Sequence, residues 1–443
     1  MAYPHSMRKV LRILNYTGIM NHLVLYEARW KQVLHRVFCV ICQVIGILSL
    51  ISHILSTTTR SRRFLPEFLQ RMLEDTCFIS YSFEYLNCKY RMDEFLEIVT
   101  RMENTFSSVD KTIVKNCHRT EINIYLSFSS LLGLALLGSI IETYLPISNE
   151  ELAILERVYR RKYPENRLET NFWVPFDDSD PKYYHILFYF IIFLILRILV
   201  MSLCVAFLPV LITQITGQYK ILNLYIRNIG ADLDDNGLRK YFTNIERGEF
   251  IYADVSKKSK NIPHNNSPQE TIKSNVVKLK RQVLYEKLYV RQIIRFHQRI
   301  IHFEERVFQF FKGMMVVKVI ANNMLVALCL YQLTSPEAIS KERLYKLFFE
   351  FLAFSMQYFY LCHCSELLDN CNINLRTAII HSFWYKNRDL STRRDLTLMI
   401  LRAQKRNHVK FYKTFCIGHT YFINVLKYAV NFVNFVTLSR KNT

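Results

Sequence analysis

Apolar and polar positions fall in long blocks along this chain. No Asp, Glu, Lys or Arg occurs in residues 37–59, 122–141, 198–219 or 319–336, and residues 414–439 contain only Lys427. Each run approaches the ~20 apolar residues that a helix needs to cross a hydrocarbon core about 30 Å thick. Backbone amides in lipid must be satisfied within their own segment, so these runs predict helices. Two weaker blocks lie between them. Residues 68–86 carry Arg71, Glu74, Asp75 and Glu84 around the apolar centre Thr76–Phe83, and residues 347–365 carry Glu350 among aromatics. Charge inside a span is costly, so both helices are expected to turn their charges toward protein or water. The pattern predicts an all-α, polytopic membrane protein, one seven-helix unit over residues 1–443 embedded in a lipid bilayer. Its spans fall near 34–57, 67–87, 122–144, 183–218, 312–334, 346–368 and 414–439. Pro209 should kink the fourth.

The loops add detail. Residues 218–311 hold helix-like patterns at 221–241 and 276–311 on either side of a polar segment, 256–274, that reads as a disordered insertion. The second pattern runs into the fifth span, so that helix should extend well beyond the membrane. Residues 1–32 have no cleavable apolar core, and the first span is expected to serve as its own insertion signal.

Charge changes the picture next. The chain has 58 Lys+Arg against 37 Asp+Glu, a net +21, although 51% of it is hydrophobic. Taken whole, that surplus suggests an acidic partner. Divided by loop, the segments 1–36, 88–121, 218–298 and 371–413 together carry +20, and the three alternating loops carry about zero. Basic loops stay in the cytoplasm. The N-terminus is therefore expected inside and the C-terminus outside, opposite to a G-protein-coupled receptor, and nucleic acid is not needed as a partner.

Chemistry is sparse. The chain has only 10 glycines and no Gly-rich phosphate loop, no His-Glu-x-x-His and no Gly-x-Ser-x-Gly. Neither an enzyme nor a cofactor is expected. Cys39 and Cys42 have redox spacing, and Cys362-His363-Cys364 could suggest a metal, but both lie in apolar helices and read as packing. The sequons at Asn15 and Asn265 fall on the cytoplasmic side and should stay unmodified.

Two patterns point to a site. Asn424, Lys427, Asn431 and Asn434 recur at steps of 3, 4 and 3 in the last span, and continuing the steps reaches Leu438 and Lys441. These positions share one helical face. Lipid does not satisfy amides and an ammonium, so the face either bonds neighbouring helices or lines water at an oligomer axis. Separately, the second, third, fourth and sixth spans are rich in aromatic and small residues. Phe78, Tyr81, Ser82, Ser130, Leu134, Gly138, Tyr184, Phe188, Phe349 and Leu352 could together wall a pocket for a small apolar ligand, although each alone also fits helix packing.

Several segments resemble the insect odorant receptors, in order and along most of the chain. They are Trp173-Val-Pro-Phe-Asp177, Arg295–Glu305, Trp384-Tyr385 with Arg393-Arg394 and Leu396, Arg402-Ala-Gln404, and the final Lys427–Arg440. The resemblance implies an odorant-specific tuning subunit, joined with a shared co-receptor in a heterotetramer that forms a ligand-gated, non-selective cation channel. It implies a multi-pass protein of the plasma membrane, at the dendrite of an olfactory sensory neuron. A small volatile would bind in the outer half between helices two, three, four and six. Residues 371–413 would help form a cytoplasmic anchor, and the seventh helix would line the pore through Asn431, Asn434, Thr437, Leu438 and Lys441. Arg440 and Lys441 depart from the apolar gate that the family leads one to expect. The alternative is a gustatory-type, tastant-gated channel subunit. Thr420-Tyr421 imitates that family's terminal motif but lacks its Gln. A metabotropic seven-helix receptor would need a cytoplasmic C-terminus, which the loop charges oppose.

Overall fold

The computed structural model describes residues 6–20, 28–63, 65–144, 152, 156, 161–166, 168, 170, 172–230, 234–235, 238–254, 268–334, 341–386, 389–405, 410–411 and 415–441. The fold is mostly helical. Its helices are α1 (Ser6–Tyr16), α2 (Arg29–Thr59), α3 (Leu65–Tyr90), α4 (Met92–Thr105), α5 (Lys111–Tyr144), α6 (Pro181–Met201), α7 (Phe207–Arg227), α8 (Pro268–Thr334), α9 (Lys341–His381), α10 (Leu390–Gln404) and α11 (His419–Lys441). Among the described residues, four segments are long and apolar enough to cross a membrane: α2, α5, the α6–α7 pair, and α8 from Lys280 onward. With 26, 41 and 23 residues, α3, α9 and α11 have the length but carry more polar positions.

α2 exposes Val37, Ile41, Val44, Leu48 and Ile51 and buries few residues, as a helix facing lipid must. α7 buries side chains around nearly its whole circumference, from Phe207 to Ile226, and forms the centre of the bundle. Pro209 sits in the first turn of α7, where its missing N–H costs nothing. Its ring clashes with a continuous α-helical carbonyl four residues back. The break accordingly lies upstream of it, in a 3₁₀ turn at Ser202–Ala206. α8 has 67 residues, about 100 Å at 1.5 Å per residue.

The region after α7 departs from the helical expectation. The predicted 221–241 helix ends at Arg227, and Gly230 follows with φ 69°. A Cβ there would lie 2.5 Å from the Phe383 carbonyl oxygen, so the close approach of α7 to the end of α9 requires glycine. The Phe383 N–H donates to the Ile229 carbonyl at 3.1 Å. Beyond it β2 (Leu238–Asn244) and β3 (Glu249–Asp254) pair antiparallel, with Tyr241 opposite Ile251, and β1 (Asp234–Asp235) adds an edge. Gly248, with φ 67°, turns the hairpin. Phe242 anchors it, its ring edge-on to Tyr225 of α7 and its N–H donating to the Tyr285 hydroxyl of α8. In the polar segment 256–274, residues 268–274 open α8, and 256–267, with the Asn265 sequon, lie outside the described residues.

A second hairpin, β4 (Lys410–Phe411) with β5 (Phe415–Cys416), leads into α11. α1 was not anticipated. It is amphipathic, burying Met7, Val10, Leu11 and Leu14 under the bundle, and Asn15 of the other sequon is buried with them.

Candidate functional site

α3 supplies the longest wall of a cavity of about 230 Å³. Glu74, Cys77, Phe78, Tyr81, Ser82, Tyr85, Leu86 and Lys89 line it at helical spacing along the later two-thirds of α3. α2 contributes Gln43, Gly46, Ser49 and Leu50, and α5 contributes Leu132, Ala135, Leu136 and Ser139. α6 contributes Ile191, Leu194, Ile195, Arg197 and Ile198, α9 contributes Glu350, Ala353 and Phe354, and Thr170 and Phe172 come from the segment before α6. The lining is chiefly apolar with a few polar groups, the composition of a small-molecule site.

At the Glu74 end the charges of α3 are answered within the subunit. His53 of α2 is fully buried, with Nδ1 2.5 Å from Asp75 and Nε2 3.1 Å from Glu74 and 2.9 Å from the Thr170 hydroxyl. Arg71 donates to Glu67 at 2.8 Å and to Glu74 at 2.5 Å, and Lys346 of α9 lies 3.7 Å from Glu74. Glu84 pairs with Lys318 of α8 at 2.6 Å, and both side chains are buried. Lys318 thus packs toward α3. Asn322 is buried beside it.

Of the pocket residues proposed from sequence, Phe78, Tyr81 and Ser82 line the cavity. Ser130 and Leu134 are exposed, and the neighbouring face of α5 lines it instead. Gly138 lies against the backbone of Lys346. Tyr184 and Phe188 stack on each other at 6.0 Å and pack on a satellite cluster built from Leu168, Phe172, Ile191, Leu194 and Ile195. Phe349 and Leu352 are half-buried beside the lining positions Glu350, Ala353 and Phe354. Sequence reasoning did not place the α2 wall, Lys89 or Arg197 in the cavity. A four-residue period along 74, 78, 82, 86 and 77, 81, 85, 89 was the available signal.

α11 seats on the bundle through Val425, Ala429 and Val433, which are buried. Asn424, Lys427, Asn431, Asn434 and Leu438 are exposed on the opposite face. Tyr428, Phe432 and Phe435 flank that face on one side and are 70%, 48% and 70% exposed. The side chains of Thr437 and Lys441 lie outside the described residues.

A chain of contacts connects the cavity to this helix. The Gln357 amide of α9 donates to the Tyr81 hydroxyl at 3.1 Å. The adjacent Tyr358 donates to Asn323 of α8 at 2.9 Å and packs edge-on against Tyr421 and Phe422 of α11, with centroids 6.4 and 6.0 Å away.

No curated protein sequence matches the chain. Solved structures of the insect olfactory receptor OR5 from Machilis hrabei share the fold. One aligns with a TM-score of 0.65 at 12% identity, covering 97% of each chain. Another, of that receptor in complex with eugenol, aligns with a TM-score of 0.66 at 11% identity, covering 98% of this chain and 97% of the other. The family model described as 7tm Odorant receptor matches residues 65–430. That match runs through every helix that walls the cavity except α2, and through the first half of α11: the chain belongs to the odorant receptor family.

Proposed function

We propose that this chain is an odorant-tuning subunit of a ligand-gated, non-selective cation channel, assembled as a heterotetramer with a shared co-receptor. In this reading it spans the plasma membrane seven times with its N-terminus in the cytoplasm. α3, α9 and α11 join the four strongly apolar segments as spans, and a small volatile ligand occupies the cavity along α3. The observation that carries the channel reading is the α11 stripe. Its amides and ammonium face away from the subunit, opposite the seat formed by Val425, Ala429 and Val433. Hydrocarbon does not satisfy such groups, and water at an oligomer axis does.

The gating mechanism follows from the contacts. A ligand beside Tyr81 bears on Gln357, and the neighbouring Tyr358 carries the displacement to Tyr421 and Phe422 on α11. Ligand opens the channel only by its preference for the arrangement in which α11 has moved. Co-expression with the co-receptor and a broad panel of volatiles tests this. An inward cation current evoked by at least one apolar volatile is expected. Surface-delivered protein that gives no current with any of them would overturn the reading.

A further inference from the structure

The two ends of the cavity differ in charge compensation. At the Glu74 end Glu67, Glu74 and Asp75 each have a basic neighbour. At the Lys89 end two cations stand without an anion. Arg197 is set in the otherwise uncharged stretch 183–219 of α6 and α7. Its guanidinium reaches across to α2 at Gly46, where a Cβ would meet Nε and Nη2 at 3.8 Å, an ordinary van der Waals contact. Its Nη1 is buried without a hydrogen-bond partner. Lys89 lies four residues after Tyr85 on the same face of α3, with its ammonium 5.9 Å from the Tyr85 ring centroid. The Tyr85 hydroxyl is also buried without a partner. Among the described residues no carboxylate pairs with Arg197 or Lys89. Glu84, a few residues away on α3, is committed to Lys318. The lining from α2 and α5 adds only neutral groups, among them Gln43, Ser49 and Ser139.

A guanidinium nitrogen buried without a partner is costly, and the cost falls sharply when an anion with matching hydrogen-bond geometry arrives. A guanidinium presents a planar fork that fits a carboxylate. Away from this end the walls are mostly aliphatic and aromatic, with Phe78, Leu136, Leu194 and Phe354. We infer that the cavity takes a small carboxylic acid with an apolar tail, its carboxylate held by Arg197, Lys89 and the Tyr85 hydroxyl, and its tail lying along α3. This inference rests on the ligand-cavity reading above and names the chemical class of its ligand.

Octanoate and 1-octanol, equal in carbon count and different in charge, are suitable probes. Their binding is measured on the full chain purified with its co-receptor in nanodiscs of neutral lipid, and their currents in co-expressing cells. Wild type should bind octanoate more tightly than 1-octanol. Arg197→Gln should weaken octanoate roughly tenfold to hundredfold, the scale of a lost charge-assisted hydrogen bond, with 1-octanol unchanged. Lys89→Gln should shift octanoate in the same direction, and it decides the matter if Arg197→Gln fails to accumulate. Equal wild-type binding of the two probes overturns the inference, as does octanoate affinity that neither variant alters. A co-purifying phospholipid that octanoate does not displace also overturns it and assigns the two cations to a lipid phosphate. Arg197-dependent binding of octanoate with no current from any volatile upholds the anion site while the channel reading falls.

Discussion

α3 and α11 both carry more polar positions than the four strongly apolar segments, and they turn them in opposite directions. On α3 the polar side chains Gln70, Arg71, Asp75 and Glu84 are buried, and described groups of its own chain answer them. His53 meets Asp75, Lys318 meets Glu84, and Arg71 lies between Glu67 and Glu74. On α11 the polar side chains Asn424, Lys427, Asn431 and Asn434 are exposed, and the buried face is wholly apolar. A polar group answered inside the subunit fixes how helices of one chain pack. A polar group left on the outside is an instruction about what surrounds the subunit. The same residue types therefore specify tertiary structure in one helix and, in the proposed channel, assembly around water in the other.

The largest expected effect comes from breaking the closed set. Lys318→Met leaves Glu84 buried without its cation, a loss on the scale of about 3–5 kcal/mol for one partner of a buried pair. Surface expression should collapse. Adding Glu84→Gln removes the stranded charge, and the double variant should recover most of the loss, because replacing both partners is far milder than replacing one. Wild-type expression of the single variant would mean that the pair contributes nothing and that α3 is held by its apolar contacts alone.

How much of this was legible follows the same division. The inward turn of the α3 charges could be read from cost alone, since four ionisable residues in one span have no other tolerable place. Their partners could not, because periodicity within one helix does not say which neighbour faces it. Nothing in the spacing around Lys318 names its partner, and only the packing places it on Glu84. The cavity shows the same limit. Phe78, Tyr81 and Ser82 share a face that helical spacing defines. On α9 the proposal of Phe349 and Leu352 missed the lining Glu350 and Ala353 by one residue, about 100° around the helix. The β2–β3 hairpin was missed for another reason. Glu249-Phe-Ile-Tyr252 holds β-forming residues after a turn at Gly248, but the helical periodicity of 221–227 was carried too far. The α11 stripe was legible because its 3-4-3 spacing is a property of one helix alone.

Tyr358 stands between the two regions and should give a smaller effect. Its hydroxyl bonds Asn323, and its ring touches Tyr421 and Phe422 at the seat of α11. Tyr358→Phe keeps the ring and removes one hydrogen bond, a change of about 0.5–1.5 kcal/mol. Expression should survive. If the closed region communicates with the open one at this point, the odorant dose–response curve should shift severalfold while the maximal current stays. An unmoved curve at equal expression would remove Tyr358 from the route and leave it a packing residue.

The smallest effect on stability should come from α11, and there a small value is the informative one. The side chains of Asn431 and Asn434 are exposed and hydrogen-bond to no described residue, so Asn431→Leu and Asn434→Leu should each change the stability of the folded subunit by no more than about 0.5 kcal/mol. If the stripe lines water, permeation changes at once, because a pore wall loses an amide and gains an aliphatic surface. Relative permeability to sodium and calcium, and single-channel conductance, should differ from wild type at matched surface expression. The opposite result, lowered expression with unaltered permeation, would place the amides against a neighbouring helix as hydrogen-bonding contacts. α11 would then be a second α3 whose partners belong to another subunit, and the contrast between the two helices would reduce to which chain supplies the partner.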